Sequence, residues 1–235
     1  MKQILDWKSF LLPYEMAVSG FIMKLRAIKK EYILKGESSP IEIVSGRVKT
    51  VPSILEKANR LGIKYVDIPN LLYDIAGVRI ICKYLEDVYK VYDLLKSRKD
   101  VEIFMVKDYI SNPKPSGYRS LHILAKYRAE TIDGAIPINI EFQIRTHAMH
   151  LWASIEHSLK YKYYQEIPEN IQERLIEASK ASMQLDEEMS KIHQAILETK
   201  VSKMRGEEWE DDEVDFFLDS FKKIKLMIGI KTLKI

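Results

Sequence analysis

The sequence predicts an α/β protein with a sheet in the middle of the chain and helices at both ends. Three observations support this fold class. Short apolar segments of strand length recur between residues 76 and 145. Longer segments with apolar residues at helical spacing flank them, at residues 6–35 and 169–199. A further segment of helical character, at residues 86–97, separates two of the apolar runs, as is typical of an α/β sheet.

The first half of the chain alternates helices and strands. Residues 6–35 place apolar side chains three or four positions apart, and Gly36 follows as a stop signal. A second helix is predicted over residues 52–62, because a proline opens this segment and a glycine closes it. Residues 76–84 (AGVRIICKY) are mostly apolar and predict a buried strand, which the helix over 86–97 follows.

The second half contains three more predicted strands and then two helices. The strands cover residues 101–106, 118–127 and 137–145, and the helices cover residues 147–163 and 169–199. The Pro- and Ser-rich loop at residues 107–117 is long enough to be functional. We expect residues 1–200 to form one domain and residues 201–235 to form a charged, flexible extension.

Composition limits the class of protein. A chain of 235 residues with 46% hydrophobic residues can bury a full core. The net charge of +3 is too small to indicate nucleic-acid binding by itself. The single cysteine, Cys82, lies in an apolar run and is interpreted as a small buried residue. Neither a signal peptide nor an apolar run of ~18 residues is present, so we expect a cytoplasmic protein without a membrane contact.

Two segments carry polar side chains on strands that are otherwise apolar. Residues 117–122 read GYRSLH, and residues 141–146 read EFQIRT. Strand side chains alternate between faces, so Glu141 and Gln143 share one face and the apolar residues between them take the other. Such a polar face is either plain solvent surface or a ligand site. Two adjacent polar strands beside a basic loop favour a phosphorylated ligand.

The acidic residues suggest a metal site. Asp74 directly precedes the strand at residues 76–84, and Glu141 lies within a strand, where glutamate is disfavoured. Two carboxylates together could hold Mg²⁺, which takes one or two carboxylates plus substrate phosphates. The chain has no Walker-type loop, no Gly-x-Gly-x-x-Gly motif and no zinc-ligand spacing.

Four motifs resemble those of RelA/SpoT-type alarmone synthetases. They are DIAGVR at residues 74–79, KPSGYRSLH at 114–122, EFQIRT at 141–146 and WASIEH at 152–157. The resemblance covers residues 5–195 and is strongest to the single-domain small alarmone synthetases. It implies a nucleotidyltransferase-like fold, a mixed sheet of about five strands flanked by N- and C-terminal helices. Hydrolase activity is not expected, since the chain lacks a His-Asp dipeptide and room for a hydrolase domain.

The resemblance implies a GTP pyrophosphokinase, which transfers the pyrophosphoryl group of ATP to the 3′-hydroxyl of GTP or GDP. Asp74 would be the main Mg²⁺ ligand, and Glu141 would assist the metal or accept the 3′-hydroxyl proton. On the ATP side, Arg47 and Arg79 would sandwich the adenine, and Lys49 and Lys57 would contact the phosphates. On the acceptor side, Tyr118 would stack on guanine, and the remaining contacts would come from Lys114, His122, Gln143, His150 and Glu156.

Two positions depart from the family pattern, and other functions stay open. His150 stands where the family often has asparagine, and Ile43 stands where some members have an aromatic residue for an allosteric alarmone. The resemblance also implies a homotetramer, which could bind an alarmone or single-stranded RNA. One alternative function is a catalytically weak nucleotide- or RNA-binding regulator on the same scaffold. The other is a nucleotidyltransferase that moves a nucleotidyl group.

Overall fold

The computed structural model describes residues 6–162 and 168–205, with side chains over 6–160 and 168–199. Most of the predicted extension at residues 201–235 lies outside the described residues. The helices are α1 (Trp7–Leu34), α2 (Val51–Arg60), α3 (Ile68–Leu71), α4 (Leu85–Lys96), α5 (His147–Lys162) and α6 (Glu169–Arg205). The strands are β1 (Ile43–Val48), β2 (Ala76–Cys82), β3 (Val101–Asp108), β4 (Leu121–Thr131) and β5 (Gly134–Thr146).

The five strands form one mixed sheet in the order β1-β2-β5-β4-β3. Strands β2 and β5 are parallel, whereas the other three pairs are antiparallel. The predicted fold class and the mixed sheet are therefore confirmed. Strand β1 and the short helix α3 were not assigned from the sequence pattern.

The predicted strand at residues 118–127 is wrong at its beginning. Strand β4 begins at Leu121, where pairing starts with both neighbours, opposite Asp108 of β3 and Ile144 of β5. Tyr118 precedes this pairing and so has no place in the alternation of the sheet. Gly117, with φ of +88°, adopts a left-handed conformation that turns the chain just before this point.

The core lies on one face of the sheet. Helix α1 covers this face, and Phe21 packs edge-on against Phe142 of β5, with ring centroids 5.0 Å apart. Ile80 of β2 and Ile123 of β4 are fully buried in the same cluster. Val88 of α4 also belongs to this cluster. The opposite face of the sheet is thus left for the polar side chains.

The chain divides into two units. In the described residues, the first consists of 6–83, 87–114 and 119–147 and contains the sheet. The second consists of 84–86, 115–118, 148–162 and 168–205 and contains nearly all of α5 and α6. Within the second unit, the indole Nε1 of Trp152 donates a hydrogen bond to the Leu175 carbonyl at 2.8 Å and ties α5 to α6.

The proposed domain division at residue 200 stays a prediction. Helix α6 continues through that position to Arg205. None of the helices in the part of the chain that the structure describes is long and apolar enough to cross a membrane.

Asp100 anchors the start of β3 to α1. Its carboxylate accepts hydrogen bonds from Lys24 Nζ at 2.8 Å and from Arg98 Nε and Nη2 at 2.8 and 2.7 Å. Burial opposes the charge of Asp100, but the hydrogen bonds from Arg98 and Lys24 outweigh burial and lower its pKa to about 2. The folded-state pKa is below the unfolded one, so the ionised carboxylate stabilises the fold at neutral pH.

We expect Asp100→Asn to lower the free energy of unfolding at pH 7 by about 1 kcal/mol, since solvent screens this partly exposed group. The difference from the unsubstituted protein should shrink as the pH falls through 3.8 towards 2. Urea unfolding at pH 7, 5 and 2.5 measures this difference, with Asp133→Asn at an exposed turn as the matched control. A difference that is the same at pH 7 and at pH 2.5 would contradict this account.

Candidate active site

The polar face of the sheet carries a continuous row of side chains. Residues that pair across neighbouring strands share a face, so the register decides which side chains meet. One row runs through Ser45, Arg79, Gln143, His122 and Lys107, and the next row contains Arg47, Gly77 and Glu141. The face that the sequence pattern assigned to Glu141 and Gln143 is the one opposite the core.

Glu141 is held at both carboxylate oxygens. Its Oε1 lies 2.9 Å from Nδ1 of His122, and its Oε2 accepts a hydrogen bond from Gln143 Nε2 at 2.9 Å. Arg145 Nη2 in turn donates to Gln143 Oε1 at 3.0 Å, which fixes the orientation of the amide. Burial opposes the charge, but the interactions with His122 and Gln143 together outweigh burial and lower the pKa of Glu141. Glu141 is therefore an ionised, oriented acceptor.

Asp74 lies just before β2 and is paired with two lysines. Lys49 Nζ and Lys57 Nζ both donate to the same oxygen, Oδ2, at 2.6 and 2.7 Å. Burial again opposes the charge, and the two lysine hydrogen bonds outweigh it, so the pKa of Asp74 is lowered. The other oxygen, Oδ1, is buried and has no hydrogen-bond partner within the described residues.

Asp74 and Glu141 line one cavity of about 140 Å³. Arg47 of β1 and Arg79 of β2 line the same cavity, as does Gln143. The nearby carboxylate of Asp74 opposes ionisation of Glu141, so the two charges interact through this space. The cavity thus combines two carboxylates with two guanidinium groups, which suit phosphate oxygens and base stacking.

The two carboxylates fit a hard divalent cation. Asp74 Oδ1 is a buried anionic oxygen that lacks a partner among the described residues, which is an unfavourable arrangement unless a ligand satisfies it. In the described part of the chain, no three His, Cys, Asp or Glu side chains form a cluster able to hold a metal. Two carboxylates completed by water and substrate oxygens are the donor set that Mg²⁺ uses with nucleotides.

Lys114 extends the polar network of the first unit. Its Nζ lies 4.5 Å from the centre of the Tyr109 ring, a cation–π distance. The same ring packs edge-on against the imidazole of His122, with centroids 5.3 Å apart. Tyr109 therefore links Lys114 to the residue that holds Glu141. The sequence pattern indicated the loop at residues 107–117 but gave no reason to choose this tyrosine.

Known proteins share the sequence that forms this site. Residues 46–166 match the model for the region found in RelA/SpoT proteins. A GTP pyrophosphokinase of Bacillus subtilis, YjbM, is 45% identical over 206 residues, which cover 86% of this chain and 97% of the relative. The chain belongs to the RelA/SpoT family.

Solved structures of RelA/SpoT proteins are similar over the same length. One is the small alarmone synthetase 1 from Bacillus subtilis bound to its product pppGpp, with 47% identity, a TM-score of 0.77 and coverage of 80% of this chain and 96% of that chain. The same synthetase bound to AMPCPP has 43% identity, a TM-score of 0.72 and coverage of 82% and 98%. The recognised resemblance to single-domain synthetases is confirmed.

The structure divides the predicted site residues of this RelA/SpoT protein between its two units. The first unit brings together the carboxylates, their hydrogen-bond partners and the cations around the cavity. These residues are Arg47, Lys49, Lys57, Asp74, Arg79, Lys114, His122, Glu141 and Gln143. The second unit contains the other three, Tyr118, His150 and Glu156.

Within the second unit, the three residues lie on or beside α5. The Tyr118 ring is edge-on to Trp152 with centroids 6.4 Å apart. Glu156 is buried, and its Oε1 accepts a hydrogen bond from Lys160 at 2.7 Å. His150 lies in the first turn of α5, and its carbonyl accepts from Ser154 Oγ at 2.8 Å. In the sequence, Trp152 stood out only as the first residue of the WASIEH motif, which gave no sign of its contact with Tyr118.

Gly117 is held at a position that requires glycine. Ser179 Oγ donates a hydrogen bond to the Gly117 carbonyl at 2.5 Å. A Cβ atom at Gly117 would lie 2.7 Å from Ser179 Cβ, and φ is +88°. Both the backbone conformation and the space around it therefore exclude a side chain from the residue before Tyr118.

We expect the backbone conformation of Gly117→Ala to lower the free energy of unfolding by about 1–2 kcal/mol. The close contact of the new methyl group with Ser179 should add to this loss. Gly134→Ala, at φ +103° with open space, isolates the conformational cost. Gly20→Ala, in open space within α1, should be slightly stabilising. Chemical unfolding of the three variants measures their free energies of unfolding. Equal losses of stability in Gly117→Ala and Gly134→Ala would contradict the claim that Ser179 crowds a side chain at residue 117.

Proposed function

We propose that this chain is a GTP pyrophosphokinase that makes pppGpp or ppGpp and AMP. The observation that carries the proposal is the pair of ionised carboxylates, Glu141 and Asp74, on the walls of one arginine-lined cavity. The related enzyme YjbM bears this activity in its name and matches 86% of this chain. A phosphoryl-transfer enzyme needs both cations for the phosphates and a placed acceptor for the hydroxyl proton.

The reaction joins the 3′-oxygen of the acceptor nucleotide to the β-phosphorus of ATP. The bond from that phosphorus to the oxygen bridging it to the α-phosphate breaks, and AMP leaves with that oxygen. Glu141 receives the 3′-hydroxyl proton, because each of its oxygens keeps a lone pair beyond the bonds to His122 and Gln143. These two partners hold the carboxylate in one orientation throughout.

The ATP side is assigned to the cavity and its rim. We assign Arg47 and Arg79 to stack on adenine and to contact phosphate oxygens, and their position in the lining of the cavity supports this assignment. Lys49 and Lys57 supply charge to the polyphosphate. Mg²⁺, held by Asp74 and Glu141, would neutralise the charge that builds up on the phosphates.

The acceptor side is assigned to GTP or GDP. We propose that the Tyr118 ring stacks on guanine and that polar contacts come from the following residues: Lys114, His122, Gln143, His150 and Glu156. The stacking role is supported by the fixed backbone at Gly117, which holds the preceding turn in one conformation. The polar roles are supported by the family to which the chain belongs.

We further propose a cytoplasmic homotetramer, on the strength of the family resemblance. Ile43 on the edge strand β1 is 49% exposed, and an aliphatic side chain stacks on guanine more weakly than an aromatic ring. Added pppGpp should therefore stimulate synthesis less than in relatives with an aromatic residue. Single-stranded RNA remains a second proposed ligand, whose binding would weaken with added salt.

The test is incubation of the purified protein with Mg²⁺, ATP and either GTP or GDP, with nucleotides separated by anion exchange. AMP that forms in step with a more strongly retained guanosine nucleotide supports the pyrophosphokinase. Free pyrophosphate in place of AMP would indicate nucleotidyl transfer. Nucleotide binding without any product would indicate a regulator on the same scaffold.

We expect Tyr118→Ala to raise the KM for GTP by roughly 5- to 150-fold, because a lost base-stacking contact costs ~1–3 kcal/mol. The KM for ATP should stay unchanged. Tyr118→Phe keeps the ring and is the matched control. Because Tyr118 contacts Trp152 of α5, circular dichroism is used to check that the helix content of Tyr118→Ala is unchanged. An unchanged KM for GTP in Tyr118→Ala would overturn the stacking assignment.

A further inference from the structure

The ion pairs around Asp74 place two positive charges on one oxygen. Both ammonium groups are within 2.7 Å of Oδ2, whereas Oδ1 is buried without a partner in the described residues. The three side chains are mostly shielded from solvent, with exposed fractions of 16% for Lys49, 28% for Lys57 and 21% for Asp74. At these exposures charge repulsion is screened only in part. The cluster as a whole carries one excess positive charge.

We infer that Lys49 and Lys57 block Asp74 against a divalent cation until ATP draws the two ammonium groups onto its phosphates. The inference rests on the proposed function, since it takes both lysines as phosphate ligands. In the nucleotide-free protein, a cation that approaches Asp74 Oδ1 meets two ammonium groups on the neighbouring oxygen. With polyphosphate present, the same two lysines have stronger anionic partners, and both oxygens of Asp74 become available.

The elements that carry the lysines allow this exchange without backbone movement. Lys49 follows β1 directly, and its backbone N–H donates to the Ile75 carbonyl at 2.8 Å, next to Asp74. Lys57 lies in the last turn of α2. Each ammonium sits on a flexible four-carbon stem with three donors, so it can change partner by side-chain rotation alone.

Glu141 provides the contrast within the same cavity. Its oxygens are held by His122 and Gln143 rather than by lysines. A change of partner at Asp74 therefore leaves the base in place. The lysine pair acts on the metal-binding carboxylate and couples the arrival of the cation to the arrival of the nucleotide.

The test is Mn²⁺ binding, followed by electron paramagnetic resonance, to the whole protein without nucleotide. We expect weak binding to the unsubstituted protein and at least about tenfold tighter binding to Lys57→Gln, because removal of one nearby charge is worth more than 1.4 kcal/mol at an effective dielectric constant near 20. Lys49→Gln should act in the same direction and serves as the second variant. Adding Asp74→Asn to Lys57→Gln should abolish the gain.

The matched control is Lys35→Gln, which breaks the exposed pair with Glu31 and changes the net charge by the same amount. Equal Mn²⁺ affinity in Lys57→Gln and Lys35→Gln would overturn the inference. So would tight Mn²⁺ binding to the unsubstituted protein in the absence of nucleotide. The titration involves no turnover, so its failure is distinct from failure of the proposed function, which the product assay detects.

Discussion

Replacing Glu141 by glutamine should lower turnover by about 10²–10⁴-fold, the range that a general base typically supplies. The glutamine side chain keeps the size of Glu141 but cannot take a proton. Its amide nitrogen must also occupy one of the two positions where His122 Nδ1 and Gln143 Nε2 now contact carboxylate oxygens, so one of these two contacts has to change. Single-turnover rates of AMP formation at saturating ATP and GTP measure the effect.

Binding of a non-hydrolysable ATP analogue should persist in Glu141→Gln, because Arg47, Arg79 and both lysines are unchanged. Glu130→Gln, at an exposed position near the end of β4, makes the same chemical change away from the cavity and should keep full turnover. Turnover in Glu141→Gln above a tenth of that of the unsubstituted protein would refute both the base role and the metal role of Glu141.

Replacing Asp74 by asparagine should lower turnover at least about 10²-fold, and added Mg²⁺ should not restore it. The substitution removes the negative charge that pairs with Lys49 and Lys57, and it replaces one carboxylate oxygen with an amide NH₂ group that cannot bind a metal. A neutral amide is a much poorer ligand for a hard cation than a carboxylate. Initial rates over a wide range of Mg²⁺ concentration, with ATP held saturating, measure the loss.

Asp133→Asn is the matched control for this substitution, since it changes the same functional group at an exposed turn. Recovery of normal turnover in Asp74→Asn at high Mg²⁺ would show that Asp74 tunes metal affinity without being required for the reaction. Turnover above a tenth of normal at every Mg²⁺ concentration would refute its assignment as the main metal ligand.

The amino-acid sequence by itself determined the class of fold and much of the polar face. In β5, apolar residues alternate with Glu141 and Gln143, and the structure places Phe142 against the core helix while Glu141 contacts His122 on the opposite face. This prediction succeeds because the two-residue period of a strand depends only on neighbouring positions. Helices α1 and α6 were predicted for the same reason, from apolar spacing along one segment.

The ends of strands were harder to predict from the sequence, because they depend on the neighbouring strands with which they pair. The strand predicted to begin at Tyr118 begins at Leu121, because strand pairing starts opposite Asp108 and Ile144. Alternation in the printed sequence cannot indicate where the neighbouring strands end. The contact between Ser179 and Gly117, 62 residues apart, was likewise invisible, although it explains why glycine precedes Tyr118.

The tertiary structure alone decided which charges meet. Lys49 and Lys57 are 25 and 17 residues from Asp74, yet both ammonium groups lie on one oxygen of that carboxylate. His122 reaches Glu141 because β4 pairs with β5 in a particular register, and Tyr109 joins Lys114 to His122 through a loop. Local periodicity places a side chain on a face, whereas ion pairs and hydrogen bonds between distant segments depend on how the whole chain packs and which strands pair.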